Sequence, residues 1–156
     1  MQSISIVFPV HNEEGTLELL VSDWAKELTY NKIDYEFVIV EDGSLDNSKK
    51  IIKDLEKKFP IINLSQNTKR GYSQAVVDGI KNASKEYILC TDSDGQIKVK
   101  SLIENLKNLP KKKEFLIGYR NPRKDPLNRL IYSKVFKIFY DFYLIPILKI
   151  QAVRLL

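Results

Sequence analysis

Five short apolar runs, at residues 4–10, 35–40, 61–64, 86–91 and 115–118, alternate with segments whose apolar residues recur at helical spacing. No other feature narrows the possible folds so much. The first run ends at Pro9 and His11-Asn12-Glu13-Glu14, after which Leu17, Leu20, Val21, Trp24, Ala25 and Leu28 mark a helix. The second stops at Glu41-Asp42-Gly43-Ser44. There Ser44 or Asp46 suits the cap of a helix carrying Ile51, Ile52, Leu55 and Phe59 on one side. The third, weaker run leads through residues 66–71 to a helix whose small residues Ala75, Gly79 and Ala83 permit close approach to a sheet. After the fourth run, Ser101-Leu102-Ile103-Glu104 has capping-box form and opens a helix that ends before Pro110. Strands alternating with helices in this way predict an α/β fold with a mainly parallel sheet and helices on both faces.

With 156 residues, 44% hydrophobic and 29% charged, the chain has the profile of one globular domain able to bury a core. Residues 1–126 are expected to form that domain, and residues 127–156 an amphipathic helical tail. The net charge of +5 is concentrated in the last third, where Lys111, Lys112, Lys113, Arg120, Arg123, Lys124 and Arg129 crowd together. Such an end suits phosphates or an anionic membrane surface, or is simply a solvated face. No nucleic-acid-reading module is recognisable, so no nucleic-acid partner is expected. The single cysteine, Cys90, lies in the fourth apolar run; it allows no disulfide within the chain, points to a reducing compartment and is expected in the core. Met1-Gln2-Ser3-Ile4 lacks a charged and apolar leader, so no secretory signal is expected.

Every apolar run ends in a polar cluster: residues 11–14, 41–44, 67–71, 92–96 and 120–123. In open parallel sheets, ligands bind outside the carboxyl ends of the strands, so these clusters are expected along one rim. Two are acidic and two basic, a combination suited to a cation together with a polyphosphate. If the chain stays extended through Asp92-Ser93-Asp94, a period of two puts both carboxylates on one side. An all-oxygen site without His or Cys favours Mg2+ or Mn2+; the competing reading is a solvated acidic turn. Neither G-x-G-x-x-G after the first run nor G-x-x-x-x-G-K-[ST] anywhere is present. His11 is the only histidine and no nucleophile-elbow sequence occurs, which disfavours a serine-histidine-acid triad.

Taken together, Val7-Phe8-Pro9-Val10-His11-Asn12-Glu13-Glu14, Val40-Glu41-Asp42-Gly43-Ser44, Asn67 with Gly71, and Thr91-Asp92-Ser93-Asp94-Gly95-Gln96 resemble the family 2 glycosyltransferases of the GT-A (Rossmann-like) fold. Gly118-Tyr119-Arg120, Asp125-Pro126-Leu127-Asn128-Arg129 and Ser133 look most like the polyprenyl-phosphate glycosyltransferases, the dolichol-phosphate mannose synthase group. The resemblance implies that Pro9, His11, Asn12 and Glu13 line a nucleoside pocket and that Asp42 contacts base or ribose. His11 stands where the family often has tyrosine. Asp92, Asp94 and Gln96 would hold Mg2+ or Mn2+ on the pyrophosphate of a UDP- or GDP-linked sugar, with Asp94, Arg120 and Arg129 as the catalytic set. Gly71 and Ser133 would also touch substrate, and Arg120 and Arg129 would bind phosphate through planar guanidinium groups. The implied reaction is a single displacement with inversion, the acceptor being a polyprenyl phosphate. A phosphate monoester is largely anionic at neutral pH and needs no carboxylate base.

Residues 127–142 show apolar residues at helical spacing with Lys134, Lys137 and Asp141 opposite. Such a helix suits a bilayer interface, or packs on the sheet or on a partner subunit, which leaves a homo-oligomer open. It is too interrupted by charge to span, a spanning helix needing about 20 apolar residues. The expected location is therefore cytoplasmic, peripheral at the inner face of a membrane. The family's catalytic domain usually runs longer, so the donor half is expected here and a truncated or non-catalytic nucleotide-sugar-binding module is the alternative. A nucleotidyltransferase is disfavoured by the missing Gly-rich loop near the first run.

Overall fold

In the computed structural model, which describes residues 3–95, 99–106, 116–120 and 151–155, strand and helix alternate from the first described residue. The order is β1 (Ser3–Val10), α1 (Leu17–Tyr30), β2 (Asp34–Asp42), α2 (Ser48–Leu55), β3 (Ile61–Gln66), α3 (Tyr72–Asn82) and β4 (Tyr87–Cys90). After these come α4 (Val99–Leu106), β5 (Leu116–Arg120) and β6 (Gln151–Leu155). The described chain divides into two compact units, Met1–Val99 and Lys100–Leu156.

In the first unit the strands form one parallel sheet in the order β3-β2-β1-β4. The two central strands, β1 and β2, are buried almost throughout, which accounts for their near-continuous apolar sequence. Successive side chains of β1 face opposite layers. Phe8 meets Trp24 of α1 edge-on at 6.0 Å between ring centroids and Phe37 of β2 at 5.8 Å. The preceding residue, Val7, faces α3: a Cβ added to Gly79 would collide with Val7 Cγ1 and lie 3.2 Å from Val40 Cγ2. Helices α1 and α3 therefore cover opposite faces of the sheet. Of the expected small residues, Gly79 lets the helix backbone reach β1 and β2 and Ala75 is buried beside it, while Ala83 lies just past the end of the helix. Burying each of Phe8, Trp24 and Phe37 stabilises the fold by about 1.5–3 kcal/mol.

One expectation is corrected in this unit and another is narrowed. Cys90 is exposed, not in the core, because its strand β4 ends the described four-stranded sheet while α3 lies over β1 and β2. The helix after β2 starts at Ser48, and of the two expected caps it is Asp46 that serves, its Oδ1 accepting the Ser48 N–H at 2.9 Å, while Ser44 does not. Ser44 instead accepts a hydrogen bond from the β1–α1 loop.

In the second unit α4 buries Leu102 and Ile103, and β5 pairs in parallel with β6 in a separate two-stranded sheet. The fifth expected run is thus a strand, and among the described residues its partner is β6. Residues 151–155, expected in a helical tail, form β6: Val153 and Leu155 suit a strand, and the partner that makes it one is Gly118 to Arg120, far back in the sequence. The expected domain boundary at residue 126 and the helix over 127–142 lie outside the described residues.

Candidate functional site

The carboxyl ends of β1, β2 and β4 and the start of α3 are laced together by hydrogen bonds. At the end of β1, His11 Nδ1 donates to the Asp42 carbonyl at 2.9 Å, which fixes the proton on that nitrogen. Asn12 follows with φ 59°, and its N–H donates to Ser44 Oγ at 3.0 Å while its Oδ1 accepts Leu45 N–H at 2.8 Å. A left-handed conformation is one that asparagine tolerates well, and here the paired bonds with residues 44 and 45 hold it. Glu13 N–H donates to Ser48 Oγ at 2.9 Å, and its carboxylate accepts the Thr16 hydroxyl at 2.9 Å. One residue on, Glu14 N–H meets Asp46 Oδ2 at 3.0 Å. Burial tends to raise the Asp46 carboxyl, but the Ser48 hydroxyl and the N–H groups of Ser48 and Glu14 outweigh it and hold the group below its ordinary value.

Asp42, 4% exposed, ends β2 and grips the next loop with both oxygens: Arg70 N–H at 2.6 Å and Gly71 N–H at 2.8 Å. Backbone donors on a buried carboxylate are each worth about 1.5–3 kcal/mol. Gly43, at φ 68°, allows the same approach, since a Cβ there would lie 2.7 Å from Lys69 N and 2.8 Å from the Thr68 carbonyl carbon. No L side chain fits. Glu41 is fully buried on the other side of the strand, accepts from Ser44 N–H and from Ser65 Oγ at 2.9 Å, and forms an ion pair with Lys49 Nζ at 3.4 Å.

At the end of β4, Ser93 turns inward and donates to the Pro9 carbonyl at 2.8 Å, while its own carbonyl accepts Thr16 Oγ1 at 3.3 Å. Its neighbours behave differently: Asp92 is exposed and Asp94 half-buried. The Tyr72 hydroxyl, from the first turn of α3, donates to Asp92 Oδ1 at 3.0 Å. Partial burial of the hydroxyl, together with this bond and the carboxylate's charge, pushes the Tyr72 phenol up to about 12, so it remains a donor at neutral pH. The bonds now close a circuit from Pro9 through Ser93, Asp92, Tyr72, Gly71 and Asp42 to His11.

Of the site residues expected from the sequence, Pro9, His11, Asn12, Glu13, Asp42, Gly71, Asp92 and Asp94 all belong to this rim. Gln96, Arg129 and Ser133 lie outside the described residues. Arg120 is the last residue of β5 in the second unit, opposite Leu155. The sequence reading did not single out Glu41, Tyr72, Ser93 or Thr16 as site residues. A glutamate directly at the end of an apolar run was the available signal for Glu41; for Tyr72 there was none, because its role depends on where α3 begins relative to β4. Among the described residues no group of three His, Cys, Asp or Glu side chains gathers as a metal cluster. Asp92 and Asp94, one residue apart in the chain, offer oxygen donors alone, a donor set that still suits a hard divalent cation whose shell is completed by a ligand's own oxygens.

The sequence model of Glycosyl transferase family 2 matches residues 5–151. The chain belongs to that family. Poly-beta-1,6-N-acetyl-D-glucosamine synthase of Staphylococcus epidermidis is 34% identical over 116 residues, covering 71% of this chain and 27% of that enzyme. The chain thus spans about a quarter of the length of the curated relatives it matches. Among solved structures, Staphylococcus aureus TarS 1-349 in complex with UDP-GlcNAc is similar with a TM-score of 0.59, at 21% identity over 81% of this chain and 37% of that one. The mannosyltransferase PcManGT from Pyrobaculum calidifontis, in complex with GDP-Man and Mn2+, gives a TM-score of 0.61 at 19% identity over 78% of this chain and 36% of that one. These likenesses confirm the GT-A-type fold. Among the described residues no helix is long and apolar enough to cross a membrane.

Proposed function

We propose that this chain binds a nucleotide-diphospho-sugar and is the donor-binding part of a family 2 glycosyltransferase. The observation that carries the reading is the closed circuit at the sheet's carboxyl edge, which brings His11 and Asp42 together with Asp92. The His11 ring and the loop 11–14 form the nucleoside side, the loop being tied to Ser44 and Ser48 through its Asn12 and Glu13 N–H groups. Asp42 spends one lone pair of each oxygen on Arg70 and Gly71, which leaves further acceptor sites for a base or ribose donor. Asp92 and Asp94, with Gln96, would hold Mg2+ or Mn2+, which neutralises charge on the pyrophosphate and on the departing nucleoside diphosphate.

The transfer itself is read as one displacement with inversion, as the family resemblance implies. A polyprenyl phosphate acceptor, the dolichol-phosphate mannose synthase affinity and attachment to a membrane surface rest on residues 118–133 and on the basic, aromatic sequence after them. The relative from Staphylococcus epidermidis is named for a different product, so these finer assignments draw no support from it.

Calorimetric titration with UDP and GDP, with and without Mn2+, tests the donor site. One of the two nucleotides is expected to bind, more tightly with Mn2+, and Asp94→Ala is expected to abolish the gain. Failure of both nucleotides under both conditions overturns the reading. Binding without turnover of any sugar nucleotide selects the non-catalytic alternative.

A further inference from the structure

We propose that Tyr72 is a positioning residue for the cation site: its hydroxyl holds the Asp92 carboxylate in the orientation that meets a divalent cation on the nucleotide. The inference rests on the donor-site reading and goes one step further into that site. Tyr72 opens α3 directly after Gly71, whose N–H is bound by Asp42 at 2.8 Å and whose φ of 96° belongs to the left-handed region. The backbone that carries the ring is therefore anchored at the end of β2. The ring then reaches the end of β4, where its hydroxyl meets Asp92 Oδ1 at 3.0 Å.

Tyr72 is 58% exposed, and Asp92 is exposed as well, so neither side chain is confined by dense packing. Among the described residues, Tyr72 is the one hydrogen-bond partner of the Asp92 carboxylate. An exposed carboxylate without a partner samples several rotamers, and a cation must then bear the entropy of selecting one. A carboxylate held in advance does not impose that cost. The bond occupies one lone pair of Oδ1, so the remaining acceptor sites of the carboxylate stay available to a cation. Two consecutive residues, Gly71 and Tyr72, thereby join the base-side carboxylate Asp42 to the cation-side carboxylate Asp92.

The test is an electron paramagnetic resonance titration of Mn2+ against the full chain in saturating UDP, repeated in GDP, for the wild type, Tyr72→Phe, Asp92→Ala and the double variant. Tyr72→Phe removes only the hydroxyl of a largely exposed side chain. It is expected to weaken Mn2+ about tenfold, near the low end for partners that orient a metal ligand, while nucleotide affinity without Mn2+ stays within about twofold. In the Asp92→Ala background, the same change is expected to have no effect on residual Mn2+ binding. Unchanged Mn2+ affinity in Tyr72→Phe, or an equal loss in both backgrounds, overturns the role of Tyr72 and leaves the donor site standing. A wild type that binds Mn2+ with neither nucleotide overturns both.

Discussion

Strand β2 buries a glutamate near each end, and the two are used differently. Glu36, 8% exposed, sits low on the strand and accepts from Ser5 Oγ at 2.6 Å, from Ser84 N–H at 2.7 Å and from Ser84 Oγ at 2.7 Å. It ties the α3–β4 connection to β1 and β2, far from the rim along the strand. Glu41 is fully buried five residues on and ties down the loop behind Asp42. Both are ionisable groups inside the protein, and both are tolerated because the partners described above are all donors. The lesson is that burial of a carboxylate does not by itself mark a functional site; what matters is which segment its partners belong to. Glu36 organises the α3–β4 connection at the opposite end of the strand, whereas Glu41 organises the loop that carries Ser44 to Asn12.

The largest effect that separates the two ends is on folding stability. Glu36→Ala leaves the Ser5 hydroxyl and the Ser84 N–H without their acceptor, and is expected to destabilise by about 2–4 kcal/mol in urea unfolding. The surviving folded protein should bind nucleotide as the wild type does; a weakened nucleotide affinity would erase the distinction drawn between the ends. Glu41→Gln keeps the shape but loses the charge that faces Lys49, with an expected cost of about 1–2 kcal/mol. Here nucleotide affinity is expected to fall by more than stability alone accounts for, as seen by calorimetry well below the unfolding midpoint.

Acid sharpens the comparison. Burial pushes the Glu36 carboxyl up, but the bonds from Ser5 and Ser84 and the charge of Lys85 outweigh it, so the group titrates below its ordinary value of 4.5. A carboxyl depressed in the folded state stabilises above its unfolded pKa, and that contribution disappears as the pH falls through the folded value. The stability gap between wild type and Glu36→Gln should therefore be full near neutrality and close below the ordinary glutamate range. A gap independent of pH in thermal unfolding would show that the charge of Glu36 is not what matters. The smallest effect concerns the exposed pair Lys57–Asp54, at 2.7 Å as short as any ion pair described. Asp54→Ala is expected to leave the unfolding midpoint unmoved, because exposed pairs gain little over hydration.

Much of the rim could be read in the chain. Apolar runs broken by His11-Asn12-Glu13, Glu41-Asp42-Gly43 and Asp92-Ser93-Asp94 place polar residues at strand ends, and a parallel sheet puts those ends on one edge. The small-residue face of α3 was legible for the same local reason, and the structure adds only what Gly79 touches. Other features were hidden. That β5 pairs with a strand at 151–155 depends on a contact across more than thirty residues, and Gln-Ala-Val-Arg-Leu has no strand signal strong enough to announce it. Cys90 looked like core because its neighbours are apolar, yet exposure depends on which strands the covering helix reaches.

By itself, then, the sequence determined the alternation of strand and helix, the parallel sheet, the family and the set of polar residues at the strand ends, since these follow from local periodicity and from which residues interrupt it. The tertiary structure alone decided the pairings: Asp42 with the backbone of Arg70 and Gly71, Tyr72 with Asp92, Glu36 with Ser84, and Gly43 beneath Lys69. Each of these joins residues 20 or more positions apart. Such pairs are set by strand order and helix placement, which packing chooses for the chain as a whole and no local pattern encodes.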